Sequence, residues 1–275
     1  MYLREGHAEK EIRILQQLIR ENPLGILTTA IKSPNHPLIQ SSHIPFVLDV
    51  PESSSTTSDG DNVNNNNPGI LRGHVAKQNP QAKVLIEALA AQNHNHNQHQ
   101  QTLELPDEVL VLFHGPYHHY VTPKFYVETK PNTGKTVPTW NYSAAQAYGK
   151  IRIYCDSKSE ETNNFLQKQI EDLTNNSETR IMGYTGGVAA EGGGEKKPTP
   201  WKVSDAPESY VGLLKKNIIG IEIHIERLQG KFKMSQELGE GDRQGVVQGF
   251  EGLGSEVGHG MARTVRERGE MKKKT

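Results

Sequence analysis

The stretch NIIGIEIHIERL at residues 217–228 constrains the fold more than any other part of the chain. Ile219, Ile221, Ile223 and Ile225 alternate with Glu222, His224 and Glu226, and a period of two puts the isoleucines on one face of a strand. His224 then faces solvent. The strand signal, bounded by turn residues, recurs in LGILTTA (24–30), PLIQSSHIPFVL (37–48), GILRGHVA (69–76), EVLVLFHG (108–115) and AYGKIRIYC (147–155). The first two read as hairpin partners across a turn at Ser33, Pro34 and Asn35. Helical periodicity is confined to shorter intervals. Ile12, Leu15, Leu18 and Ile19 share a face within 8–22, and Asn22-Pro23 ends it. NPQAKVLIEALA (79–90) begins with Asn79 as N-cap and Pro80 at the first helical position. Further helices are expected at 160–173, 207–217 and 242–253. Strands and helices do not alternate regularly, which argues against a parallel doubly wound sheet. The expected class is mainly β (α+β), an antiparallel barrel with peripheral helices.

Residues 113–149 look like the binding wall of such a barrel. They read FHGPYHHYVTPKFY, a polar loop, then VPTWNYSAAQAYG, with Pro116, Pro123 and Pro138 inside one short window. Proline removes a backbone donor, so these positions read as strand ends and rigid turns, Gly115-Pro116 among them.

Composition narrows the remainder. With 275 residues, 34% of them hydrophobic, a sizeable core can form, and a net charge of -1 provides no global field for nucleic acid. The lone Cys155 excludes internal disulfides and multi-thiolate zinc sites. The N-terminal residues have no uninterrupted apolar stretch of a secretory signal, and nowhere do enough apolar residues run together to span a membrane. A cytoplasmic protein is expected, with nuclear access left open. One domain is expected over 1–260, interrupted by polar insertions near 51–68, 91–101 and 175–200. A basic disordered tail is expected over 261–275.

No strand is followed by GxGxxG, and no GxxxxGK[ST] occurs, so Rossmann and P-loop chemistry are poor candidates. Cys155 reads as a half-buried hydrophobe without a partner base. His114, His118 and His119 straddle the Gly115-Pro116 turn and have no carboxylate at ligand spacing, so no metal centre is assigned. Neither is any catalytic residue. Thr28 and Thr29 provide hydroxyls, while Arg72, His74 and Lys77 provide positive charge around Gly73, a plausible phosphate cradle that competes with an ordinary solvated sheet edge. Trp140 could border a planar ring and Asn141 read its polar edge; core packing is the alternative for the tryptophan.

The blocks SHIPF (42–46), RGHVAKQNPQ (72–81), FHGPYHHYVTPKFY, VPTWNY (137–142) and IIGIEIHIERLQGKFKMSQ (218–236) resemble the PaiB-type proteins, known as FMN-binding negative transcriptional regulators. The resemblance covers about residues 1–250. It implies an FMN-binding split barrel, a homodimer with flavin near the subunit interface, and kinship with flavin reductases, so that a nicotinamide partner stays open. Direct nucleic-acid binding is weakly supported and a membrane partner is not expected. On motif position the cofactor ligands would be Thr28, Thr29, His43, Arg72, Gly73, His74, Lys77, Asn79, Trp140 and Asn141. A regulator acting without flavin redox chemistry and a barrel that has lost its cofactor are the alternatives. The chain departs from the family's common residues at Lys77, Ala82, Phe125, Gln146 and Glu237. Lys77 keeps a positive charge where arginine is usual, but as a point charge without the bidentate fork.

Overall fold

The computed structural model describes residues 1–51, 67–95, 103–187 and 197–273. Among these, the chain forms strands β1 (Ala8–Glu9), β2 (Leu24–Ala30), β3 (Ile39–Pro45), β4 (Val47–Asp49), β5 (Ile70–Ala76), β6 (Glu104–Val121), β7 (Thr139–Tyr154) and β8 (Ile218–Lys233). The helices are α1 (Ile12–Glu21), α2 (Pro80–Asn95), α3 (Thr129–Thr133), α4 (Glu160–Asn176), α5 (Glu208–Lys215), α6 (Glu240–Glu251) and α7 (Glu256–Lys273). Strands neighbour one another in the order β3-β2-β6-β7-β8-β5-β4, with β1 on β8. β3 and β4 are successive stretches of chain parted only at Phe46, so the two ends of that order are joined covalently. The ladders β2–β3, β4–β5 and β5–β8 are antiparallel. The fold is the expected antiparallel split barrel with helices around it.

The chain divides into two compact units. Unit 2 comprises Pro23–Val111 and Ala147–Arg227 and holds β2 to β5 whole. Its core follows from alternation. Leu27, Leu71, Ile219, Ile221 and Ile223 are fully buried, and His224 between the isoleucines is exposed. Unit 1 comprises Met1–Asn22, Leu112–Gln146 and Leu228–Thr275. Here α1 buries Leu15, Leu18 and Ile19, each side chain contributing roughly 2 kcal/mol. Asn22 caps the helix end by donating to the Leu18 carbonyl at 2.9 Å.

Four expectations are corrected. Ala8 and Glu9 are not the first turn of a helix; they pair with Lys231 and Gly230. Gly115-Pro116 is not a turn, because β6 runs straight through it. The glycine is there for close approach: a Cβ would lie 2.0 Å from the Ser143 hydroxyl. Pro123 does open a short 3-10 turn, and Pro138 directly precedes β7. The tail is not disordered, since α7 continues to Lys273. Met261, Ala262 and Val265 are at most 1% exposed, at spacings that make one helical face, and their burial was hidden by the charged residues between them. Finally, the polar insertions are shorter than expected. α2 extends to Asn95, and α4 continues to Asn176 and into a π-helical turn at Ser177–Ile181. What was expected of 52–66, 96–102 and 188–196 lies outside the described residues. No described helix is long and apolar enough to cross a membrane.

Met261→Ala should therefore destabilise the protein by about 2–5 kcal/mol in urea unfolding, as core truncations do. A change within about 0.5 kcal/mol, the range of surface substitutions, would show that α7 is not packed.

Candidate functional site

In unit 2 the motif NPQ works as a structural clamp. The Asn79 side chain accepts from the Gln81 backbone N–H at 2.8 Å, the expected cap of α2, and donates to the Ser42 hydroxyl at 2.9 Å. Gln81 turns inward, 2% exposed, and its amide donates to the Leu27 carbonyl, the Thr29 hydroxyl and the Gln40 carbonyl at 3.0–3.2 Å. Asn79 and Thr29 are thereby committed to tying α2 onto the β2–β3 hairpin. Gln81 was not singled out from sequence, because nothing local marks a glutamine as buried.

Arg72 and Gly73 are also committed. Arg72 is buried and donates to both oxygens of Asp49 and, at 2.6 Å, to Asp172 on α4. Burial disfavours its charge, but the two carboxylates outweigh that and hold its pKa above the ordinary value. The guanidinium is occupied by protein carboxylates rather than presented to an anion. A Cβ on Gly73 would lie 3.1 Å from Ile44 and the Phe46 ring, so the space that the missing side chain leaves is filled by apolar groups.

The other cradle residues are less committed. Partners across an antiparallel ladder share a face, and the pairs Thr28↔Ser41 and Ile26↔His43 put Thr28, Ser41 and His43 on one side of the hairpin. The pairs Val47↔Arg72 and Leu48↔Leu71 extend the parity of this strand onto β5, which puts His74 on the same side of the sheet, half-buried beside Arg72 where α4 covers it. Thr28 and Ser41 hydroxyls bond each other at 2.8 Å, and His43 is exposed. The Nδ1 of His74 is buried with no hydrogen-bond partner among the described residues, and desolvation pushes the imidazole below its ordinary pKa of 6.5. Lys77, half-buried, stands just past β5. Burial pushes the Cys155 thiol up, so it is a poor nucleophile.

Unit 1 contains the wall. Along β6, His114, Pro116, His118 and Tyr120 are exposed while Phe113, Gly115 and Val121 are buried. Trp140 and Tyr142 face the same cleft from β7. The cleft has a volume of about 540 Å³ and is lined by His114, Gly115, Pro116, His118, Trp140, Tyr142 and Ser143. The Trp140 ring lies 6.2 Å from His118 and 6.3 Å from Tyr120. His119 points elsewhere, edge-on to Phe250 at 5.5 Å.

Behind the wall the VPTWNY and KFKMSQ blocks interlock. Asn141 is fully buried and exchanges hydrogen bonds with the Ser235 hydroxyl at 3.0 and 3.2 Å, so its amide is taken up by the scaffold. Ser235 adopts a left-handed φ of 60°, and the Asn141 bonds hold it there. Lys233 donates to the Thr139 hydroxyl and, at 2.8 Å, to the Trp140 carbonyl. Glu237 takes His7 at 2.9 Å; burial raises its pKa, but this bond, a backbone hydrogen bond and the charges of His7 and Lys233 together keep the carboxylate below its usual range. Of the predicted ligands, His43, His74, Lys77 and Trp140 are left uncommitted among the described residues, and the Thr28 hydroxyl is shared with Ser41.

A family model described as "Putative FMN-binding domain" matches residues 1–227. The chain belongs to this FMN-binding domain family, whose cofactor is FMN. It is 66% identical over 274 residues to an uncharacterized protein of Aspergillus fumigatus, covering 100% of both chains. It is also 28% identical over 180 residues to the protease synthase and sporulation protein PAI 2 of Bacillus subtilis, covering 65% of this chain and 63% of that one. The PaiB resemblance is borne out. Among solved structures it is similar to the conserved hypothetical protein Rv2991 of Mycobacterium tuberculosis, with 12% identity, a TM-score of 0.43, and coverage of 87% of this chain and 95% of that one.

Two outcomes test these assignments. Arg72→Met should cost about 2 kcal/mol, because two partly solvated carboxylates lose one shared cation. An unchanged denaturation midpoint would refute the ion-pair reading. His74 gives a pH signature. Its folded pKa lies below its unfolded value of 6.5, so the stability of keeping it neutral is full above 6.5 and is lost as pH falls through the folded value. Between about pH 7 and about pH 5 the Tm should fall more steeply for the native chain than for His74→Gln, and equal slopes would contradict it.

Proposed function

We propose that the chain binds FMN, the cofactor of its family, and that in unit 2 Thr28, His43, His74 and Lys77 meet the phosphate. The observation that carries this is the side of the sheet that the register of β2, β3 and β5 gives in common to Thr28, His43 and His74. Thr28 and His43 point one way there, and His74 holds a buried nitrogen with no partner among the described residues. A hydroxyl, two imidazoles and an ammonium are the donor set that a phosphate takes. Lys77 supplies the charge, since His74 is held toward its neutral form and contributes through a ring N–H. FMN supplies hydride and single-electron chemistry when bound, and the chain supplies orientation and electrostatics. A flavin-dependent oxidoreductase is the enzymatic form of this reading.

The same hairpin face supports a second copy of the chain as partner. Leu24 and Ile39 stand on it 57% and 66% exposed, and large apolar side chains beside a ligand patch favour a self-complementary interface.

FMN titration followed by flavin absorbance and calorimetry should give saturable binding, weakened about tenfold or more by Lys77→Ala, as the loss of a charged hydrogen bond implies. No binding, or a Lys77→Ala variant that binds equally well, would refute the phosphate assignment. Light scattering should report a dimer that the Leu24→Asp, Ile39→Asp double variant converts to monomer. A monomeric native protein would rule out this partner.

A further inference from the structure

We infer that the groove between α4 and α5 in unit 2 binds a small organic amine, an apolar body carrying one cationic nitrogen. The groove has a volume of about 770 Å³, within the size range of small-molecule sites. One wall is α4; the other is α5 with the 3-10 turn at Val203–Asp205 that leads into it. None of the lining residues is among the proposed phosphate donors, so the site stands apart from the flavin reading.

The α5 helix lacks the packing that a helix of its length needs. It has eight residues and none is buried, although Tyr210, Val211, Leu213 and Leu214 are apolar. A helix this short is marginal in water and takes its order from the packing of one face. Val211 and Gly212 line the groove, and a Cβ on Gly212 would meet no protein atom within 4 Å, so the protein itself leaves room against this turn of the helix. The rest of the lining is anchored. α4 passes into the π-helical turn at Ser177–Ile181, a geometry frequent at functional sites, and Glu178 in that turn accepts from the Trp201 backbone N–H at 3.0 Å. This bond fixes the start of the segment that brings Val203, Ser204 and Ala206 to the groove.

Charge decides what fits. Lys215, the cation of the lining, donates to the Gln167 side-chain oxygen at 2.9 Å, and the Gln167 amide donates to one oxygen of Glu171 at 2.6 Å. Glu208 adds a second carboxylate from the α5 side. Two carboxylates against one engaged ammonium leave the rim net negative, and the Ser204 and Ser209 hydroxyls add acceptors. An apolar floor of Val203, Ala206 and Val211 under such a rim selects an ammonium group on an aliphatic or aromatic body and repels an anion.

The test titrates the full chain with 2-phenylethylamine, followed by saturation-transfer NMR, and with 2-phenylethanol as the uncharged counterpart. Gly212→Leu fills the groove from a helical position, and the double variant Glu171→Gln, Glu208→Gln removes both charges at exposed positions. Saturable binding of the amine at about millimolar concentration, about tenfold tighter than the alcohol, lost in Gly212→Leu and weakened about tenfold in the double variant, supports the site. No saturable binding of the amine, equal binding of amine and alcohol, or binding that both variants leave unchanged while Tm is retained, overturns it. FMN titration of the same variants should match the native chain whether or not FMN binds. Variants that lose FMN and the amine together would show a single shared site and overturn the inference.

Discussion

The register of residues 39–49 determines side-chain placement across much of unit 2. This stretch pairs first with β2 and then, past Phe46, with β5, so its alternation sets the inner and outer faces of two neighbours at once. A slip of one residue would send Ile44, Phe46 and Leu48 outward and bring Ser41 and His43 into the core. The core excludes that slip. Phe46 and Ile44 fill the space above Gly73, and Gln81 grips the hairpin from the α2 side through the Leu27 and Gln40 carbonyls. The face that this register produces, with Thr28, Ser41, His43 and His74 in common, is a product of core packing rather than of any attraction among those residues.

Polar groups in this protein fall into those consumed by the scaffold and those left available, and burial alone does not separate them. Arg72 and Asn141 sit inside the blocks that resemble the family and suggest a ligand, yet each is satisfied by protein atoms. Their work is to hold elements in place: Arg72 joins β4, β5 and α4, and Asn141 holds the turn after β8. His74 and Trp140, close neighbours of these two in sequence, carry the opposite features. One retains a nitrogen unpartnered among the described residues, and the other exposes its indole. A scaffold that fully satisfies one residue and leaves the next unsatisfied stabilises the fold and reserves binding capacity on the same strand.

Part of the site was readable in the linear chain. Asn79 as cap and Pro80 as first helical residue are local features, and the structure has both. The aromatic wall was visible in FHGPYHHY and TWNY as a cluster, and strand alternation picks out His114, Pro116, His118 and Tyr120 once β6 is known to be continuous. That continuity was not visible. Glycine followed by proline is a turn signal, and only the Ser143 hydroxyl packed against Gly115 shows why a strand carries it here. The basic tail misled for a related reason. Its charges dominate the composition, while its buried apolar residues among those described are few, Met261, Ala262 and Val265 with Gly269.

Sequence by itself determined most of the strands and the helices α1, α2, α4, α5 and α6, where α2 is capped, and the family whose blocks the chain carries. These depend on periodicity and on interactions spanning a few residues, so the linear order contains them. Tertiary structure alone decided which candidate ligands are free. The partner that occupies Arg72 lies 100 residues away in Asp172, and Asn141 meets Ser235 94 residues away. A hydrogen bond acts over about 3 Å in space whatever the separation along the chain.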